Sequence, residues 1–464
     1  MEKMNTVSKG NTAALITELR AKFNGRAISP GDVEYDKVRT VFVGGIDRHP
    51  AVIVRVINPQ EVSQVILFAR ESGLELAIRS GGHSSVGHST TEGGIVLDLS
   101  LMKDLQIDAD QKTAWAETGL TAGEYTHAAA SHGLATGFGD TASVGLGGIT
   151  LGGGVGYLTR KHGLTIDSLL AAEVVTADGK ILFVDESNYP DLFWAIRGGG
   201  GNFGVATRFK FRLHEAGQVY GGTLILPATA DIIASFIEEA DSAAEELSGI
   251  LNIMPAPPLP FLPAEYHGKI IAWAEMVYAG NPEKGKEVLA PFRKLGQPLA
   301  DMLKPLAYPE IYPPEAEDYH PLYAGRTLFL DCVDHSVAET ILDRLESATA
   351  MMAVAQLRVL GGAMARIPVE STAFAHRSSK IMANLAALYQ KPEDKSLHEG
   401  WVGEFKSAIE QNDKGVYVNF LGNEGEAQIR AAYPNGAWDR LCRIKAKYDP
   451  DNLFRLNQNI PPAN

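Results

Sequence analysis

The chain has 464 residues, 45% of them hydrophobic and 21% charged, and a net charge of −14. That length exceeds one ordinary domain and the apolar content supports sizeable cores, which excludes the disordered and fibrous classes. The negative balance, with no basic stripe, argues against nucleic acid or an anionic membrane as partner. Two cysteines, Cys332 and Cys442, are too few for a disulfide framework or a cysteine-rich metal site.

Met1–Gly10 lacks a basic-then-apolar leader pattern, and no apolar run is long enough to span a bilayer, so a cytoplasmic location is the default expectation. Asn11 to Phe23 reads as an amphipathic helix, Ala51 to Val56 as a strand, and Val62 to Glu71 as a helix opened by Pro59. Leu76 to Arg79 and Gly94 to Leu99 read as further strands, giving a small α/β layer. Between them lies Arg79-Ser80-Gly81-Gly82-His83-Ser84. Two glycines permit a tight turn whose N–H groups suit a phosphate, and His83 offers a nucleophilic imidazole beside it. A solvated surface turn explains the hexapeptide about as well.

Thr113 to Glu117 reads as a strand, and Thr121 to His132 as a helix closed by Gly133. From Gly139 to Gly156 eight of eighteen residues are glycine, interleaved with Val144, Leu146, Ile149, Leu151 and Val155. Linkers are polar, so this run suggests backbone pressed against a flat ligand. Ala171 to Ala177 and Lys180 to Val184 flank Asp178-Gly179, a hairpin signal. Gly199, Gly201 and Gly204 form a G-x-G-x-x-G, but a helical segment precedes it and a strand-like one follows. A dinucleotide fingerprint needs the opposite order, so a Rossmann module is rejected.

Beyond Gly217 glycine thins out. Ala228 to Leu247, Val337 to Ala350 and Glu399 to Asp413 read as helices, and Ile270 to Tyr278 and Thr327 to Cys332 as strands. Met254 to Pro263 reads as a surface connection. Tyr308, Tyr312, Tyr319 and Tyr323 crowd a proline-rich stretch and read as packing rather than a substrate cleft. His88, His127 and His132 lack ligand-spaced partners, so no metal is expected.

Together the Arg79–Ser84 loop, the glycine run after Gly139, Arg197-Gly-Gly-Gly-Gly-Asn-Phe-Gly204, Thr372-Ala-Phe-Ala-His-Arg377 and the Tyr448-Asp-Pro…Asn459-Ile-Pro-Pro462 tail resemble the berberine bridge enzyme-like FAD-linked oxidases. The resemblance covers nearly the whole chain. It implies an α+β fold: a two-part FAD-binding domain of the kind named PCMH-type, plus a substrate domain whose antiparallel sheet is covered by helices. The implied division is residues 1–217 (core about 47–217) for FAD, 218–414 for substrate, and 415–464 returning to the FAD domain.

The resemblance also implies FAD bound covalently through one bond, from a His83 ring nitrogen to the 8α-methyl carbon. Many members carry a second tether from a cysteine; Thr141 stands there in this chain. It places FAD contacts at Arg79, Ser80, Gly81, Gly82, His83, Ser84, Gly87 and His88. Further contacts fall at Gly139, Asp140, Thr141, Val144, Gly145, Gly147, Gly148, Gly152, Gly153, Gly154, Gly156, Gly204, Val205, Tyr417, Asn419, Asn457 and Asn459. Val144 occupies the family's oxygen-gating position, where a small residue goes with oxidase activity.

Tyr417 is the first candidate for a base, or else a core tyrosine, with Asn419 on the same strand face. On the substrate-facing strand, Lys380 to Tyr389, only Asn384 is polar on the relevant face, so no carboxylate base is offered there. The site reads as fairly apolar, suited to an aromatic, terpenoid or polyketide-like compound. The implied reaction is hydride transfer from a C–H beside oxygen or nitrogen, with oxygen reduced to peroxide. The alternatives are a dehydrogenase using another acceptor, and a flavin-binding protein without turnover. Substrate identity and oligomeric state are left open.

Overall fold

The computed structural model describes residues 9–313 and 319–463; of Met1–Gly10 only the last two positions fall within them. The first layer is built around the helix Pro59–Ser72. The Asn58 side chain accepts from the Glu61 amide at 2.9 Å, Pro59 fills the first turn, and Gly73 ends the helix at φ 67°. Its Val62, Val65, Ile66 and Ala69 are buried against a four-stranded sheet. The strand order there is Ala27–Ile28, Val52–Arg55, Ile95–Asp98, Leu76–Arg79, the last three parallel. A parallel strand must hand the chain to a crossover, and the one leaving Arg79 contains the His83 loop.

A second sheet runs Leu105–Asp108, Thr113–Glu117, Val205–Arg212, Leu169–Val175, Ile181–Val184, antiparallel throughout. The hairpin turns at Asp178-Gly179, with Gly179 at φ 78°. The helix Ala122–Ala130 starts in a capping box between Thr121 and Glu124. The helix Pro190–Ala195 precedes Gly199–Gly204 and the strand Val205–Arg212 follows, the order that excluded a Rossmann turn.

The large sheet follows the order Ala300–Asp301, Gln218–Pro227, Ile270–Tyr278, Leu247–Pro255, Met352–Val359, Ile381–Tyr389, Leu322–Leu330, with Lys304–Ala307 also pairing Gln218–Pro227; every pair is antiparallel. Helices Ala230–Ser242, His335–Glu346 and Lys395–Ile409 cover one face through residues such as Phe236, Ile341 and Phe405. Each such burial removes a large apolar side chain from water, worth about 1.5–3 kcal/mol. Period-two alternation puts Ala272, Ala274 and Met276 on that face and Glu275 and Val277 on the other. The strands Gln218–Pro227, Leu247–Pro255 and Met352–Val359 were not anticipated from the sequence, and Met254 and Pro255 lie within a strand rather than opening a connection.

The C-terminal stretch packs onto the first half of the chain. Val416, Val418, Trp438, Leu441, Ile444 and Ile460 share one core with Leu192, Trp194 and Phe203. Lys445 and Asp449 form a fully buried pair at 2.6 Å, and Lys445 also donates to the carbonyls of Asn202 and Phe454. No helix among the described residues is long and apolar enough to cross a membrane.

Candidate active site

A cavity of about 450 Å3 opens where the glycine-rich loops meet the large sheet. Its walls come from the His83 loop, the glycine run, Gly200–Ala206, the strand carrying Asn384, and residues 417–421 and 454–458.

The loops are held by close backbone approach. A Cβ on Gly81 would lie 2.2 Å from the Gly145 amide nitrogen, and one on Gly145 would lie 2.2 Å from Ser80 Oγ. Ser80 Oγ donates to the Thr118 carbonyl at 2.6 Å and accepts from the Gly147 amide at 3.2 Å. Gly82 turns the chain at φ 74°. These constraints aim His83 into the cavity. Its ring stacks on Phe42 at 4.2 Å and 19°, and Nε2 lies 2.9 Å from Ser143 Oγ. Burial lowers the His83 pKa to about 4, so the imidazole is neutral near pH 7. His88, also at the wall, is lowered to about 4 by burial and then by Arg48.

Tyr417 is buried, and its hydroxyl accepts from the Gly154 amide and from Asn419 Nδ2, both at 2.9 Å. Asn419 Nδ2 also reaches the Ile149 carbonyl at 3.2 Å. Burial raises the Tyr417 pKa although the N–H donors oppose it. The pair meets as anticipated, but not on a strand. Residues Val418–Phe420 form a 3-10 turn, held by these side-chain bonds rather than by a ladder. Asn384 faces Tyr323, whose hydroxyl donates to Asn384 Oδ1 at 3.2 Å, and both line the cavity. Tyr323 therefore belongs to the site, whereas Tyr308 and Tyr312 are buried packing residues.

Several anticipated contacts lie elsewhere. Arg79 presents no charge to the cavity. It is buried, donating to the carbonyls of Ser89, Val38 and Arg39, so it ties down the loop from behind. Gly87 is not a lining residue; a Cβ there would meet Ile46 at 2.7 Å. Gly152, Gly153, Gly154 and Gly156 are small because protein packs on them: Asn419, Phe374 and Tyr417, Thr165 and the Phe138 carbonyl respectively. Asn459 is also outside the lining set, while Asn457 is within it. The remaining anticipated positions, Ser84, Gly139, Asp140, Thr141, Val144, Gly147, Gly148, Gly204 and Val205, all line the cavity.

The sequence reading missed Phe42, Gly200, Gly201, Asn202 and Gln458. The four glycines after Arg197 carried the signal for two of these. It also missed a polar row across the sheet. Asn384 stands opposite Gln356, and Gln356 opposite Asn252. Gln356 donates to Asn252 at 2.9 Å and accepts from Arg358, which pairs with Asp140 at 2.6 Å. Glu275, on the same side, accepts from Tyr157 at 3.3 Å; burial and the nearby Asp140 charge raise its pKa to about 7.

The donor set fits FAD. Gly148 and Gly201 open onto space that a Cβ would occupy, and the buried Asn457 Oδ1 has no hydrogen-bond partner among the described residues. A flat, polar-edged ligand suits both features. No group of three or more His, Cys, Asp or Glu among the described residues is placed to hold a metal ion.

Known proteins agree with this class of site. Residues 50–185 match the FAD binding domain model, and residues 416–461 match the berberine and berberine-like model. The chain is thus an FAD-linked oxidoreductase. The FAD-linked oxidoreductase YgaK of Bacillus subtilis is 32% identical over 96% of this chain and 98% of its own. (R)-6-hydroxynicotine oxidase of Paenarthrobacter nicotinovorans is 30% identical over 94% of this chain and 97% of its own. The crystal structure of 6-hydroxy-D-nicotine oxidase from Arthrobacter nicotinovorans superposes with a TM-score of 0.84 at 26% identity, covering 94% of this chain and 98% of that one. The chain belongs to the berberine bridge enzyme-like family of FAD-linked oxidoreductases, with the α+β fold its motifs implied.

Proposed function

We propose that this enzyme is an oxidase: it takes a hydride from a substrate carbon bearing oxygen or nitrogen, holds FAD by one covalent bond through His83, and returns the electrons to oxygen as peroxide. The carrying observation is the neutral His83 imidazole, stacked on Phe42 and open to the cavity that Tyr417, Asn419 and Asn384 also line. FAD supplies the hydride acceptor that no side chain can. His83 would hold it at one edge, with Asp140, Thr141, Val144, Gly145, Gly148, Gly201, Gly204, Val205 and Asn457 around it. Thr141 offers no sulfur for a second tether.

Tyr417 keeps its proton near neutrality and, with Asn419, presents hydrogen-bonding atoms to a substrate heteroatom. Asn384 and Tyr323 provide a second polar point. The other walls, such as Ile149, Leu151, Phe420 and Leu421, are apolar, which supports an aromatic or polyketide-like substrate. The name of the hydroxynicotine oxidase supports oxidase chemistry. In this reading residues 1–217 and 415–464 hold FAD, and 218–414 face the substrate.

The test needs no substrate. The protein is reduced with dithionite under anaerobic conditions, mixed with air-saturated buffer, and followed by flavin absorbance. Return of the oxidised spectrum within seconds, with peroxide formed, is the expected result. Slow return in air and fast return with a quinone would make it a dehydrogenase.

A further inference from the structure

We infer that Ser143 is a positioning residue for covalent attachment: its Oγ takes up Nε2 of His83, leaving Nδ1 as the nitrogen that bonds the cofactor. The inference rests on the His83 tether proposed above.

A neutral imidazole has one N–H and one lone pair, and only the lone-pair nitrogen attacks carbon. Ser143 Oγ lies 2.9 Å from Nε2, and no hydrogen bond to Nδ1 occurs among the described residues. With Nε2 engaged by this hydroxyl, donation from Nε2–H to Oγ leaves the lone pair on the unpartnered Nδ1. The ring is not free to swap its nitrogens, because Phe42 stacks on one face at 4.2 Å. Ser143 in turn is held in register. A Cβ on Gly81 would come within 3.1 Å of the Ser143 carbonyl oxygen, and the next peptide is locked by the Gly81–Gly145 approach. Two loops 60 residues apart thus meet at one hydrogen bond whose effect is to choose a tautomer.

In the attachment step a bond forms between Nδ1 and the 8α-methyl carbon. One methyl C–H and the imidazole N–H break, releasing two protons. The two electrons pass to the cofactor ring and then, with the protons, to oxygen as peroxide. Ser143 Oγ accepts from Nε2–H until that proton leaves, and then donates to the bare nitrogen. Truncating Ser143 removes the partner that holds the proton on Nε2, so the other tautomer is populated while Phe42 still holds the ring plane.

The test uses full-length protein expressed under limiting riboflavin, then incubated with FAD in air. Samples are acid-precipitated over time, and flavin absorbance is read in pellet and supernatant. For Ser143→Ala we expect acid-stable flavin to appear at least fivefold more slowly at unchanged total bound flavin. Ser143→Thr, which keeps the hydroxyl, restores the rate. A wild-type rate in Ser143→Ala, or a Thr variant as slow as Ala, overturns the inference. Should Ser143→Ala bind less FAD overall, the Thr variant and the rate per bound flavin still decide the matter. Pellet colour that persists in His83→Ala, or is missing from wild type, would instead refute the tether itself.

Discussion

At the scale of single residues, Val144 is the position where oxygen use is most directly exposed to test. It lines the cavity beside the Gly145 approach, and its carbonyl is fixed by the Ala122 amide at 2.8 Å, so a larger side chain has to project into the cavity. We expect Val144→Leu to slow reoxidation of the dithionite-reduced protein by air at least tenfold, with flavin content unchanged. The residue types here were legible, because Gly-Gly-His and Val-Gly carry their chemistry in sequence. Their partners were not. Phe42 and Ser143 reach His83 from distant segments, and no local pattern announces a stack or a tautomer-setting hydroxyl. Arg79 shows the opposite failure. A charge beside a phosphate-like turn was read as facing ligand, whereas three backbone carbonyls claim it.

At the scale of elements, capped helices and the Asp178-Gly179 hairpin were legible because their signals are local. The strands Gln218–Pro227 and Leu247–Pro255 were not: Gly221, Gly222, Gly249 and Pro255 interrupt the period, and only the neighbouring strands make them regular. Residues Thr372–Arg377 link the large sheet to the first half of the chain. Arg377 is 1% exposed and forms a two-pronged pair with Asp167 at 2.7 and 2.8 Å, with a third bond to Thr372. Removing one partner leaves a buried carboxylate uncompensated. Arg377→Ala should therefore cost about 3–5 kcal/mol, measured as a fall in the denaturant midpoint.

At the scale of the whole molecule, the interior stores neutral histidines. Burial lowers His88 and His214 to about 4 and His162 to about 3; the last two stack at 3.9 Å, so protonating both sets like charges together. Their folded pKa values lie below the unfolded value near 6.5, so the unfolded chain binds more protons and stability falls as pH drops from 6.5 toward 4. Glu275 works the other way. Its pKa of about 7 lies above the unfolded 4.5, so its contribution is full below 4.5 and is lost as pH rises through 7. Three groups outweigh one. Thermal scans should show Tm falling between pH 7 and pH 5, by the equivalent of on the order of 3 kcal/mol. The fall should be steeper in Glu275→Gln. A Tm that rises on acidification would contradict the burial of these rings.

The central claim is that His83 carries FAD, and one measurement reaches it directly. Purified wild-type and His83→Ala proteins are precipitated with acid, washed, and their pellets and supernatants read for flavin absorbance. Colour retained in the wild-type pellet and lost from the His83→Ala pellet is the result this account requires. Colour wholly in the wild-type supernatant would leave His83 as a loop residue of a non-covalent FAD site.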